Sequence, residues 1–223
     1  MSPKIIGISG SPIPNSNTDR LIIQMLKSSG VDYEFVKLSH INVRPCRACK
    51  ACVTDNLCKV LDDFQELAPK VKESQALIIG GYTPYEMLDA YTKSFLERLW
   101  SMRHVRGLNQ GRIVVTVVSS LSSQTAATVL KSMAAEINKE KMNHVAQLGI
   151  VGNVPCLTCG SGDNCDFSGV QKKFGPDAKA SADLCSAVET QQVWEEASGL
   201  AKMIGQYIRG ESVILPKVVS ENN

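Results

Sequence analysis

Cys46, Cys49, Cys52 and Cys58 fall within the segment PCRACKACVTDNLCKVLDD, and the first three recur at intervals of three residues. Thiolates so close along a chain can converge on one soft metal centre, whereas a disulfide between near neighbours needs a Cβ separation and direction that short loops rarely permit. The run C-x2-C-x2-C-x5-C follows the ferredoxin pattern of cluster ligands except in its last interval. The chemistry this predicts is an iron-sulfur cluster of the four-iron type. A reduced, empty loop and a zinc site are the alternatives that these residues leave open. A second group comprises Cys156, Cys159 and Cys165 in PCLTCGSGDNCDFSG, with Cys185 further on. Its spacing suits a second cluster or zinc. Free thiols, a redox-active Cys156 and Cys159 pair, or a lid over a neighbouring subunit's cofactor are the other readings.

Another set of residues suits an anion. After the apolar run KIIGIS comes Gly10-Ser11-Pro12-Ile13-Pro14-Asn15-Ser16-Asn17-Thr18, a stretch of hydroxyls, amides and flexible backbone leading into a helical pattern. A helix amino terminus offers unpaired N–H groups and a favourable dipole, and short hydroxyl side chains add donors without bulk. Helix capping would account for one such residue but not for so many, so the loop reads as a phosphate cradle. Gly80-Gly81-Tyr82-Thr83-Pro84-Tyr85-Glu86 combines constrained backbone with two flat side chains, which suit a flat heterocycle. Ser119-Ser120-Leu121-Ser122-Ser123-Gln124 supplies small polar groups for a ring edge. His40, His104 and His144 show no ligand spacing, and each reads as structural or exposed. Arg103, His104 and Arg106 form a small basic cluster that reads as solvated surface.

The elements that must position these loops follow from the hydrophobic pattern. Lys4 to Ser9, Tyr33 to Leu38, Ala76 to Gly80, Arg112 to Val118 and Val145 to Val151 are short runs rich in Ile, Val and Leu, and they predict strands buried on both faces. Apolar residues at helical spacing lie between most of them: Leu21, Ile22, Met25 and Leu26; then Leu88, Phe95, Leu96 and Leu99; then Val129, Leu130, Met133 and Ile137. A last helix carries Val193, Trp194, Ala197, Leu200, Ala201, Ile204 and Ile208. The stretch from Asp62 to Lys72 is expected as two short helical pieces, because Pro69 removes a backbone donor. Alternation of this kind predicts an α/β fold, a doubly wound five-stranded parallel sheet whose ligand sits beyond the carboxyl ends of the strands. The expected organisation is one domain over 1–223, with a cysteine-rich loop at 45–60 after the second strand and a cysteine-rich insertion at 152–186 after the fifth. So long a stretch without support is uncommon in a compact domain, and a metal would supply that support. The tail after Pro216 is expected as a loose extended arm.

Composition narrows the classes. The chain has 223 residues, 43% hydrophobic and 21% charged, with 24 basic against 22 acidic side chains and no run of like charge. Neither a nucleic acid nor a membrane surface is indicated as a partner. No apolar run approaches the roughly 18 to 20 residues of a membrane span, and the start, SPKIIGISGS, lacks the pattern of a secretory signal. The expected location is cytoplasmic, where eight cysteines are more plausibly ligands or redox groups than staples.

From about Lys4 to Val151 the chain resembles the flavodoxin-like NAD(P)H-dependent FMN reductase family, and within it the iron-sulfur flavoprotein branch. The residues that carry the resemblance are SGSPIPNSNT, the cysteine run followed by Asp62-Asp63-Phe64, the segment YTPYEMLDAYTKSFLERL, and the fourth strand with its polar loop. The resemblance implies a flavodoxin-like fold. It also implies that Ser9, Ser11, Pro12, Ser16, Asn17 and Thr18 surround an FMN phosphate, that Thr83, Pro84, Tyr85 and Glu86 line the flavin ring, and that Ser119 and Ser120 complete the site. Lys93 and Arg98 match structural positions. The serine-rich loop after the fourth strand departs from the glycine-rich one of many relatives. The expected protein is an oxidoreductase passing electrons between FMN and a 4Fe-4S cluster, to or from NAD(P)H, ferredoxin or a small acceptor, as a homodimer or dimer of dimers. The alternatives are an FMN or quinone reductase without a cluster, a non-catalytic electron carrier, and a thiol or metal redox sensor.

Overall fold

Five strands carry the site: β1 (Ile5–Ser9), β2 (Tyr33–Lys37), β3 (Ala76–Tyr82), β4 (Ile113–Ser120) and β5 (Asn143–Val151). The computed structural model describes residues 3–218. All neighbouring strands pair in parallel, in the order β2-β1-β3-β4-β5. The chain steps outward from β1 to β2 and then back across β1 to β3, so the order reverses between β1 and β3. A crevice opens there beyond the carboxyl ends. These are the five strands expected, with different ends. β3 and β4 run on through Tyr82 and Ser120, so Ser119 and Ser120 belong to a strand rather than a loop, whereas Leu38 begins a 3₁₀ turn, Leu38–His40.

The helices are α1 (Asn17–Ser29), α2 (Phe64–Glu73), α3 (Ala90–Leu99), α4 (Ser123–Lys139), α5 (Cys156–Cys159), α6 (Gly169–Phe174) and α7 (Val193–Ile208). Strand residues alternate between two cores. Ile6, Ile8, Leu77, Ile79 and Val114 meet Phe64, Leu67, Phe95, Leu99 and Met133 of α2, α3 and α4. Ile5, Ile78, Val115 and Val117 meet Leu21, Ile22 and Met25 of α1 and Ala197, Leu200 and Ile204 of α7. α1 and α7 touch at Gly205, where a Cβ would lie 1.8 Å from the Ser29 carbonyl oxygen.

Two expectations change. Residues 64–73 form one helix rather than two pieces, with Pro69 inside it. Pro69 and Gln65, whose carbonyl the missing N–H would have bonded, are both exposed, while Phe64, Leu67 and Val71 keep the apolar face buried. Leu88 precedes α3, whose amino terminus is capped by Asp89. Of the expected loose tail, Val218 donates its N–H to the His144 carbonyl at 2.9 Å; residues 219–223 lie outside the described residues.

Candidate functional site

The loop after β1 is held from below. Ser9 is fully buried and donates its hydroxyl to Asp19 Oδ1 at 2.6 Å. Lys37 Nζ, also buried, reaches Asp19 Oδ2 at 2.5 Å and the Ile13 carbonyl at 2.8 Å. Ser16 caps α1, accepting from Asp19 N–H while Asp19 accepts from Ser16 N–H. The carboxylate in the first turn of α1 is thus neutralised beneath the loop by Lys37, and the helix amino terminus above it stays favourable to an anion.

That terminus opens into a cavity of about 480 Å³. Ser11, Ser16, Asn17, Thr18 and Arg20 line one end; Tyr82, Thr83 and Pro84, then Ser119, Ser120 and Leu121, line the middle. Thr83 Oγ1 donates to Ser120 Oγ at 2.9 Å, tying the β3 and β4 ends together. The three loops singled out in the sequence therefore converge. Within them the side chains divide. Ser9 lies under the loop, Pro12 is exposed outside the lining, and Tyr85 and Glu86 are exposed with φ of 51° and 63°. Two successive non-glycine residues in the left-handed region mark a constrained turn of the kind found at functional sites. Tyr82, not Tyr85, is the aromatic of this turn that lines the cavity.

Asp89 is the buried anchor of this end of the sheet. Its carboxylate accepts from Thr92 N–H and Oγ1 at 2.8 Å each and from Tyr82 N–H at 3.1 Å. Burial pushes the Asp89 carboxyl up, against the pull of these donors. A Cβ on Gly10 would lie 1.9 Å from Thr92 Oγ1, so only glycine lets the β1 loop settle against α3.

The insertion supplies the remaining wall. Asn153, Val154, Leu157, Thr158, Cys185 and Ser186 line the same cavity. Asn153 closes the insertion on itself, accepting from Ser186 N–H at 2.7 Å and donating to the Ser186 carbonyl at 3.1 Å. That carbonyl also accepts from Asn17 Nδ2 at 2.8 Å. Of the second cysteine group, Cys156 accepts from Gly169 N–H at 3.1 Å, and Cys159 and Cys165 accept from Ser161 and Phe167 N–H at 3.4 Å. Cys185 faces the cavity instead.

The first cysteine group forms its own site. Cys46, Cys49, Cys52 and Cys58 line one small cavity together with Arg98 and Trp100. Burial pushes the Cys52 thiol up; its own backbone opposes this, and Cys58, Cys46 and Cys49 add to the rise. Ala48 N–H donates to Cys46 Sγ at 3.5 Å. Among the described residues, no three His, Cys, Asp or Glu side chains are arranged to hold a metal ion. Arg98 of α3, 1% exposed, brackets the loop: its Nη1 and Nη2 reach Asp62 at 2.6 and 3.0 Å, and Nη1 also reaches the Arg44 carbonyl at 2.9 Å. Its guanidinium lies 4.5 Å from the centre of the Phe64 ring. Burial alone would raise the Asp62 carboxyl, but the Arg98 hydrogen bonds and charge hold it below the usual range. Arg98 Nε is buried with no partner.

Sequence reasoning missed Asp19, Lys37, Asp89 and, apart from Cys185, the insertion residues that line the cavity. Asp19 and Asp89 carried local signals, the Ser16-x-x-Asp19 capping spacing and an Asp at the amino-terminal cap of α3.

A parallel sheet in this order, with a ligand cavity at its switch point, defines a flavodoxin-like fold. The chain belongs to the NADPH-dependent FMN reductase family, whose model matches residues 3–149. It is similar to an iron-sulfur flavoprotein of Methanocaldococcus jannaschii, 33% identical over 103 residues, 45% of this chain and 53% of that one. It is 31% identical over 118 residues to an iron-sulfur flavoprotein of Archaeoglobus fulgidus, covering 50% of this chain and 54% of the relative. The chain thus spans about half the length of the curated relatives it matches. Among solved structures, a flavone reductase superposes with a TM-score of 0.59 at 13% identity, over 92% of this chain and 62% of its own. RosB with a bound intermediate superposes with a TM-score of 0.55 at 15% identity, over 98% and 92%.

Proposed function

We propose that this chain is a flavin-dependent oxidoreductase in which FMN occupies the cavity at the β1, β3 and β4 ends and a 4Fe-4S cluster is held by Cys46, Cys49, Cys52 and Cys58. The cavity fits the first group. Hydroxyl and amide donors gather at the α1 terminus, where a phosphate is best bound, and Tyr82, Pro84, Leu121 and Leu157 give the flat apolar walls a ring requires. When bound, FMN supplies hydride acceptance and single-electron release. The chain's own residues bind and orient it: Ser11, Ser16, Asn17 and Thr18 at the phosphate, Thr83 and Ser120 at the ring edge, and Asn153 and Leu157 as the wall that excludes water.

The observation that carries the cluster is the buried Arg98 guanidinium in the wall of a cavity that four thiols share: Cys58 already acts on it, and its Nε–H makes no hydrogen bond of its own. A buried donor without an acceptor is costly, and thiolate or sulfide sulfur is an acceptor it can use. One tetrahedral ion, with a metal–sulfur bond of about 2.3 Å, draws its four sulfurs to within about 3.8 Å of each other. A four-iron core takes one thiolate per iron and spreads them wider. Four thiols lining one small cavity match in number the one thiolate per iron of such a core. The relatives' description as iron-sulfur flavoproteins supports the same reading.

The absence of a ready ion site among the described residues is the observation favouring the second reading, an NAD(P)H-dependent FMN or quinone reductase with free thiols. The electron donors and acceptors proposed are NAD(P)H, ferredoxin or a small acceptor, in a reducing cytoplasm. The assembly proposed is a homodimer or dimer of dimers, supported by the exposure of Tyr85, Met87 and Tyr91 beside the cavity. No described helix is long and apolar enough to cross a membrane.

The test is anaerobic purification with FMN, iron, acid-labile sulfide and zinc counted per chain. One FMN and about four irons per chain, the content of a single cluster, are expected. Flavin without iron selects the reductase reading. About eight irons would assign a second cluster to Cys156, Cys159, Cys165 and Cys185. A chain with neither flavin nor iron rules the function out.

A further inference from the structure

Beside the cysteine loop lies a cavity of about 350 Å³, separate from the one at the strand ends. Cys46, Lys50 and Trp100 form a wall shared between it and the four-thiol cavity. Its floor is Leu96 and the indole of Trp100, which packs edge-on against His104 with ring centres 4.0 Å apart. The loop side is shaped by Ala48 and Lys50, both in the left-handed region with φ of 50° and 58°. Such non-glycine residues cost on the order of 1 kcal/mol or more each and persist where the surroundings impose them, most often at ligand sites.

The charges of this cavity are not equivalent. Glu97 and Glu136 are ion-paired with Lys93, and Glu140 accepts from Asn109 Nδ2 at 3.1 Å. Burial pushes the Glu140 carboxyl up, towards its neutral form. Lys50 and Lys139 have exposed side chains with no ion pair or hydrogen bond among the described residues, and Arg103, also exposed, is engaged only through its charge, which opposes the rise at Glu140. An apolar floor with a flat indole and three exposed cations at the rim, two of them without an acidic partner, is complementary to a planar ring bearing a negative group.

We propose that this cavity is a binding site for a small planar aromatic anion, of the sulfonated or carboxylated quinone class, seated in contact with Cys46. The site extends the reading above, since it takes Cys46 as a cluster ligand, but binding itself depends on Trp100, Lys50, Arg103 and Lys139 and not on iron.

The probe is anthraquinone monosulfonate, titrated anaerobically into the purified FMN-loaded protein while indole emission is followed. The chain has two tryptophans, Trp100 and Trp194, and the variant Trp100→Phe assigns the signal. Saturable quenching is expected in the parent and its loss in Trp100→Phe. Arg103→Ala and Lys139→Ala are expected to weaken calorimetric affinity roughly tenfold each, the size of one charge-assisted contact. The flavin spectrum should not change. Cys49→Ala, made without iron, should still bind the probe, so absence of a cluster from the parent chain would overturn the proposed function and leave this site standing. Four results overturn the site: no saturable binding, affinity indifferent to both cation substitutions, release of FMN by the probe, or no binding in a parent whose sedimentation falls to monomer in Lys139→Glu. The last would assign the cavity to a second copy of the chain.

Discussion

Arg98 is the residue on which the cysteine loop depends. Its bidentate contact with Asp62 and its reach to the Arg44 carbonyl fasten the two ends of a loop that has no regular structure of its own. Removing one partner of a buried pair typically costs about 3–5 kcal/mol, so Arg98→Gln should lower unfolding free energy by that amount in a denaturant titration and abolish iron incorporation. Cys49 is exposed, and Cys49→Ala should change stability by no more than about 0.5 kcal/mol. Flavin content should be retained and iron lost, which separates a ligand from a folding residue. His144 gives the pH prediction. It is a buried residue of β5, with Nε2 3.0 Å from Thr116 Oγ1 of β4. Burial pushes its pKa below the usual 6.5, against a backbone contact with Ala146. The unfolded chain therefore binds a proton at higher pH than the fold does, and His144 withdraws stability as pH falls below 6.5. Stability of the parent should decline from that point on acidification, and His144→Gln should flatten the decline.

At the scale of elements, the sequence carried most of the frame. The strands were legible because each is a short apolar run buried on both faces, and the loop after β1 because capping and anion binding both select hydroxyl residues. Ser16→Ala should cost about 1 kcal/mol through the lost cap and weaken FMN binding in an equilibrium titration, since the same terminus serves both. What was not legible depended on distant pairing. Asp62 meets Arg98, Asn153 meets Ser186, and Lys37 lies under Asp19, and in each case neither residue announces its partner locally. The single helix at 64–73 was hidden for the opposite reason: Pro69 sends a strong local signal that an exposed position makes cheap to ignore. The loop expected after Gly80 begins later, because β3 runs on through Tyr82; of the two tyrosines that suit a ring there, strained backbone at Tyr85 and Glu86 turns one outward and leaves Tyr82 against the cavity.

For the whole molecule, the insertion at 152–186 is the part that sequence pattern described least. Its closure rests on the Asn153 and Ser186 exchange and on Gln191, whose amide accepts from Val151 N–H at 2.9 Å and donates to the Val151 carbonyl at 3.1 Å. Asn153→Ala should loosen the wall without touching the sheet. The expected result is an unchanged midpoint of global unfolding within about 0.5 kcal/mol, faster limited proteolysis between residues 152 and 186, and weaker FMN retention on a desalting column.

The bond from Asn17 to the Ser186 carbonyl joins the end that would hold a phosphate to the flap that covers it. Occupancy and flap closure are then one thermodynamic event. A ligand that secures α1's first turn also secures the insertion, and free energy released at one is felt at the other.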